Sequence, residues 1–443
     1  MPRPSIRSIV KPSLKLPPGT SVVAVGLVIS GLTAYGYLFV TARAVGPRAY
    51  AGLSAQWALL LLVGPGVFAT LEQEIGRAVA ARRAVGKGSR PVVVRSAIVG
   101  LAMLAVLVVA VLAGAHFITL RLFDGNQLLL VGTLIGLAGY YVQFMVRGVL
   151  AGSGLFQQYS AIVAVEGILR FVPCLVLALL AVNGAGAYGL VFGFAPLTAL
   201  IVLAWRDRPR LEPGPPAAWS ELSTAIGYLL LGSLLAQALI NTAPIAVKLL
   251  ATRSQEAEAG TFLAGLVIAR VPLFLFGAIQ ASLLPNLSRQ IASGHWEEFR
   301  RGLRHLVALV AAVGVACAVG AAVLGPTFFP ILFGKRFSLG HIAFAYLGGA
   351  SAAYMVAMVL AQALIALRRY RTMALSWALG MAGLLGMLAV PGELLIRVER
   401  SFLAGTLLAM ASMAVGTVVA VRAGPPAGLP REEQTELALP QEP

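Results

Sequence analysis

Apolar runs, each closed by a short polar stretch, recur from residue 21 to residue 421. Each is long enough to cross a bilayer core of about 30 Å, which takes roughly 20 helical residues. They fall near 21–43, 53–76, 96–118, 127–149, 158–182, 186–205, 222–250, 260–285, 304–324, 341–366, 372–391 and 401–421. The pattern predicts an all-α integral membrane protein with about twelve transmembrane helices. Residues 1–20 read as a basic cytoplasmic tail, 206–221 as a cytoplasmic linker, and 422–443 as a disordered cytoplasmic tail. The linker divides an N-lobe, 21–205, from a C-lobe, 222–421.

Polar positions inside the apolar runs carry the next signal. In the seventh span Ser233, Gln237, Asn241, Pro244 and Lys248 recur at helical spacing and share one face. In the first span Gly26, Ser30, Thr33, Tyr37 and Thr41 do the same. Such a stripe strands hydrogen-bonding groups if it faces lipid, so it predicts contact with protein or with a wet cavity. Packing between helices and lining of a cavity both fit the first span. Lys248 favours a cavity for the seventh, although it lies near the outer end, where a lysine also snorkels to the interface.

Once the cations at span ends are counted with the loops, three are left within the predicted spans: Arg170, Lys248 and Arg270. An arginine at the bilayer centre costs about 2.5–3.5 kcal/mol on insertion scales, so each predicts a compensating arrangement. Glu166 stands four residues before Arg170, on the same helical face. The two read either as a neutralised structural pair or as a binding cation with a coupling acid. Arg270 has no acidic neighbour in its own span and predicts a cavity, a partner from another helix, or an anionic ligand. Guanidinium binds phosphate oxygens in a bidentate manner and stays charged at any working pH. Pro173 and Pro272, close after the two arginines, predict local bending.

Composition agrees with the pattern. The 443 residues are 59% hydrophobic and 12% charged, with a mean hydropathy of +0.87. The net charge of +17 would suggest nucleic acid in a soluble chain, but here the cations crowd into short loops. With the N-terminus in the cytoplasm, roughly 23 loop and tail cations fall inside and 8 outside. That split predicts a plasma-membrane protein with both termini cytoplasmic, an affinity for anionic lipid, and no nucleic-acid partner.

Short words repeat at offsets of 208 to 211. AYAG at 49–52 matches AEAG at 257–260, and Leu122-Phe123 matches Leu332-Phe333. Val149-Leu150-Ala151 matches Val359-Leu360-Ala361, and QQY at 157–159 matches RRY at 368–370. A common offset predicts two related six-helix halves, with a pseudo-two-fold axis along the membrane normal.

Other chemistry is sparse. Cys174 and Cys317 lie in apolar segments, and His116, His295, His305 and His341 lack metal-ligand spacing. GKGS at 86–89 departs from the phosphate-binding loop pattern. Glu256 and Glu258, like Glu393 and Glu399, read as residues of solvated turns rather than paired carboxylates for sugar chemistry. The reading is of a chain that is not an enzyme and needs no cofactor.

Residues 331–375 hold Phe333-Gly334, Phe337 and the Arg368–Arg371 turn around an apolar helix, and residues 44–61 hold Gly46-Pro47, Tyr50 and Gly52. In these stretches, and in the basic IGRAVAARR after the second span, the chain resembles the polysaccharide flippases of the multidrug/oligosaccharidyl-lipid/polysaccharide exporter superfamily. The resemblance implies two six-helix lobes, a central cavity and alternating access. The implied cargo is a polyprenyl-pyrophosphate-linked oligosaccharide, a lipid-linked glycan moved from the inner to the outer leaflet. A polysaccharide polymerase and glycosyltransferases are the implied protein partners. The expected pyrophosphate and glycan site takes Arg170, Arg270, Lys248, Gln237, Asn241, Ser30, Thr33 and Tyr37, with Glu166 as the coupling or pairing acid. Drug-exporting members often carry an Asp in the first span, where this chain has only Ser30, Thr33 and Tyr37. Two other readings stay open: an ion-coupled small-molecule exporter of the same superfamily, and a membrane component of glycan assembly.

Overall fold

The computed structural model describes residues 20–203, 211–217, 226–273 and 296–425, with positions 276, 287, 290 and 291. Nearly all of both predicted tails, most of the 206–221 linker, the latter part of the eighth span and His295 lie outside the described residues.

The chain is helical throughout the described spans. Helix α1 (Thr20–Val63) holds two spans joined at Gly46, whose φ of 75° and ψ of 170° break the helical path. Only glycine adopts this conformation without strain, and Pro47 restarts a helix with its φ already set. A π-helical turn at Gly64–Phe68 continues into α2 (Ala69–Ala84). Next come α3 (Arg90–Ala113), the single turn α4 (Ala115–Phe117) and a π turn at Ile118–Leu122. The first lobe ends with α5 (Gln127–Gly152), α6 (Phe156–Leu179) and α7 (Ala185–Leu203). Asn126 starts α5 by accepting a hydrogen bond from the Leu128 amide at 3.1 Å, an N-cap.

The second lobe holds α8 (Ile226–Leu250), α9 (Glu256–Ala269), α10 (Trp296–Phe333), α11 (His341–Ala366), α12 (Tyr370–Leu388) and α13 (Leu394–Arg422). Among the described residues nine helices are long and apolar enough to cross a membrane, and one of them, Val22–Ala84, contains two spans. The shorter apolar helix Ala185–Ile201 and the described part of the eighth span complete twelve.

Packing repeats between the halves. The first limb of α1 lies on α6, as α8 lies on α12. Helix α5 packs on α7 as α11 packs on α13, and α6 on α7 as α12 on α13. These are the partnerships that two related six-helix lobes require. The helices also outrun the apolar runs that announced them. Helix α10 spans 38 residues and includes Arg300, Arg301 and Arg304, which hydropathy left in a loop. Arg147, counted among the loop cations, sits inside α5. Glu399 corrects the solvated-turn reading, because α13 already begins at Leu394 and its inner face buries this carboxylate to 2% exposure.

Bridges between the lobes gather at one end of the bundle, around Gly46, Asp124, Thr252 and Lys335. Arg43 donates to the Leu332 carbonyl at 2.8 Å and to that of Ile331, and Arg48 pairs with Glu256 at 2.8 Å. The rings of Phe39 and Tyr50 meet Phe333, and Tyr50 also meets Phe337. Gly260 lies so close to Pro47 that a Cβ there would sit 1.9 Å from the proline carbonyl oxygen.

Candidate functional site: a cavity between the lobes

A cavity of about 370 Å³ lies between the halves, away from those bridges. Its walls come from both limbs of α1, the π turn, α5, α6, α8 and the end of α9. Three arginines line it: Arg147, Arg170 and Arg270. The π turn contributes Pro65, where the widened helix bends around the opening.

Arg170 is the enclosed one. Its guanidinium donates to Glu166, one turn earlier on α6, and Glu166 also accepts from Gln143 on α5 at 3.1 Å. The rings of Trp57 and Phe192 lie together on one side of the cation, each with its centroid 5.3 Å away. Those rings stack on each other at 4.6 Å, and Tyr37 stacks on Trp57 at 5.6 Å. Ion pair, amide and rings together offset the insertion cost of a mid-membrane arginine.

Arg270 is held differently. It stands at the C-terminal end of α9, and its guanidinium donates to the Ile240 carbonyl of α8. That carbonyl is available because Pro244, four residues on, has no N–H to give it. The Phe402 ring lies 5.9 Å from the cation. Among the described residues no carboxylate pairs with Arg270.

Arg147 completes the set. It pairs with Glu72 at 3.1 Å and donates to the Tyr159 hydroxyl at 2.6 Å, which in turn donates to Glu72 at 2.8 Å. Each of the three guanidinium groups keeps a buried Nε–H with no partner. Such donors match an anion with several oxygens.

The predicted residues divide. Arg170, Arg270, Gln237, Asn241, Ser30 and Glu166 all line this one cavity. Asn241 donates to the Gln237 carbonyl at 3.0 Å, which ties the seventh-span stripe together. Thr33, Tyr37 and Lys248 stand outside the lining. Thr33 donates back to the Ile29 carbonyl at 2.8 Å and presses against Gly167, where a Cβ would lie 2.3 Å from its hydroxyl. Tyr37 is fully buried behind Trp57 and donates to the Tyr188 carbonyl at 3.0 Å. The first-span stripe is thus mainly a packing face toward α6. Lys248 reaches across the lobes to Asp124 at 2.5 Å and belongs to the bridged end.

Sequence reasoning missed Arg147, Trp57, Tyr140 and Phe144 as cavity residues. Tyr140, Phe144 and Arg147 share one face of α5 with Gln143, a mixed stripe legible at helical spacing. Arg147 was passed over because it stands two residues from the end of the apolar run.

The geometry has close counterparts. No protein-family model matches the chain. Its fold is that of the MATE transporters of the MOP superfamily. An inward-facing structure of a multidrug resistance MATE family transporter superposes with a TM-score of 0.69 at 12% identity, covering 90% of this chain and 98% of the other. An outward-facing structure of such a transporter gives 0.64 at 14% identity, covering 91% and 96%. The Vibrio cholerae MATE transporter VcmN in its bent form gives 0.58 at 15%, covering 91% and 98%. By sequence the chain is 25% identical over 402 residues to the uncharacterized protein Rv3630 of Mycobacterium tuberculosis and to the uncharacterized protein Mb3654 of Mycobacterium bovis. The match covers 88% of this chain and 90% of each relative.

Proposed function

We propose that this protein is a flippase, carrying a polyprenyl-pyrophosphate-linked oligosaccharide from the inner to the outer leaflet by alternating access. The observation that carries this reading is the cavity itself. Guanidinium groups from opposite lobes, Arg170 and Arg270, meet at one chamber, and among the described residues no carboxylate neutralises Arg270. A cation left without its counter-charge in an apolar slab is stabilised by an anionic ligand. The aromatic faces of Trp57, Tyr140 and Phe144 supply apolar and stacking surface beside it.

The positive-inside count supports an orientation with the chain termini, and hence the cavity end, in the cytoplasm and the bridged end closing the outer side. That is the state in which a cargo made in the cytoplasmic leaflet loads. Lys248 and Asp124 act in this scheme at the outer closure. Synthesis of a surface polysaccharide is the setting, with a polymerase and glycosyltransferases as partners.

The test is complementation of a strain lacking its own glycan flippase. Wild type restores export, while Arg170→Ala and Arg270→Ala do not at normal protein levels. Export retained by both variants rejects the phosphate site. A second reading, an ion-coupled small-molecule exporter with Glu166 as coupling acid, draws on the multidrug transporters that share the fold. Under that reading wild type lowers drug sensitivity and leaves glycan export unrestored.

A further inference from the structure

A second, smaller hollow of about 50 Å³ lies on the seam between the lobes. Trp57, Leu61 and Arg270 line both it and the main cavity. Its other walls, including Leu38, Tyr50 and Ser54, stand nearer the Gly46 bend. The hollow therefore continues the cavity toward the bridged end, where the Tyr50 ring meets Phe333 and Phe337.

Its polar groups are few and poorly satisfied. Tyr50 is fully buried and Ser54, one turn on, is 7% exposed; the two hydroxyls lie within reach of each other, and neither has another partner among the described residues. The Arg270 Nε–H is equally buried and unpaired. No carboxylate lines the hollow. Buried polar groups are nearly always partnered, so an unpaired guanidinium Nε–H on a space lined also by two hydroxyls that have only each other points to a missing occupant. All three groups can donate, and the positive charge of Arg270 repels a metal cation, which favours an oxygen-rich anion. A water molecule needs roughly 10–15 Å³ of such space, so the volume suits about three to five waters or one tetrahedral oxyanion.

We propose that this hollow is a phosphoryl subsite, held by Arg270 together with the Tyr50 and Ser54 hydroxyls. It rests on the reading that the cavity takes a phosphorylated cargo. Arg270 stands at the junction of the two spaces, so one guanidinium serves both stations. The subsite lies on the outer side of the main cavity, on the route between loading and release.

The experiment uses the full chain in nanodiscs and follows thermal stabilisation against ligand concentration. Inorganic pyrophosphate and farnesyl diphosphate are the two probes, one free and one carried by a prenyl chain. In wild type both raise the melting temperature. In the Tyr50→Phe, Ser54→Ala double variant the half-saturating concentration rises at least tenfold, while Thr33→Ala, on the packing face outside both spaces, changes it less than threefold for either probe. Tyr50→Phe alone keeps the ring packing and separates a folding defect from lost binding. A tenfold loss for farnesyl diphosphate only assigns the subsite to the lipid cargo, and a loss for both assigns it to any phosphoryl group. Equal binding by wild type and the double variant, with either probe, overturns the proposal and leaves the hollow to water. Stabilisation that depends on Tyr50 and Ser54, without glycan export by wild type, sinks the flippase reading and spares the subsite.

Discussion

Arg170 and Arg270 reach one chamber from opposite lobes, under opposite terms. Arg170 is enclosed by its own lobe, with Glu166 neutralising it, Gln143 steadying Glu166, and two rings on one side of it. Arg270 has one backbone carbonyl, exposed by a proline on a neighbouring helix, and one distant ring. The difference shows that depth in the membrane does not by itself decide what an arginine does. A cation with a carboxylate and aromatic walls contributes to the architecture and is available to a ligand only in competition with its partner. A cation without a carboxylate keeps its charge exposed to whatever enters.

The comparison is broken most severely by removing the neutralising acid. Glu166→Ala leaves Arg170 buried and unpaired, and we expect a loss of about 3–5 kcal/mol of stability, read as a fall in melting temperature in detergent. The matched double variant Glu166→Gln, Arg170→Met recovers most of it, and failure to recover would mean that the pair is not what holds this part of the lobe. Arg270→Met should do the reverse. With no buried partner left behind, stability stays within about 1 kcal/mol of wild type, while glycan export falls at least tenfold, a deficit of about 1.4 kcal/mol. A stable Arg270→Met protein with full export would put the two arginines on equal terms. Asp124→Asn tests the bridged end. The Lys248 side chain is 2% exposed and Asp124 34%, so the variant leaves a buried ammonium without its counter-charge, costs more than the ~1 kcal/mol of an exposed pair, and should raise labelling of a cysteine at Ser54 through that end by a few-fold. Thr33→Ala, on the packing face, should cost about 0.6 kcal/mol and leave export unchanged.

Much of this was legible in the chain. Twelve apolar runs gave twelve helices, and helical spacing put Gln237 and Asn241 on the face that meets the cavity. Of the cations flagged by their cost inside a span, Arg170 meets Glu166, Arg270 a backbone carbonyl and Lys248 Asp124, while the unflagged Arg147 is partnered as fully by Glu72 and Tyr159. The errors share a cause. Arg147, Lys248 and Glu399 all sit near the ends of apolar runs, where hydropathy cannot distinguish a loop charge from a helical one. Thr33 and Asn241 occupy equivalent positions in the two halves, yet one packs on a glycine of α6 and the other lines the cavity.

The amino-acid sequence alone determined the membrane class, the number of spans and the faces on which polar groups lie, because each depends on local hydropathy and helical period. Only the tertiary structure decided which lone charges are neutralised and by whom. Lys248 finds Asp124 from 124 residues away, and Arg270 finds the carbonyl that Pro244 leaves open 30 residues before it. Such partners are chosen by how helices pack against one another, and packing is a property of the assembled lobes rather than of any single run.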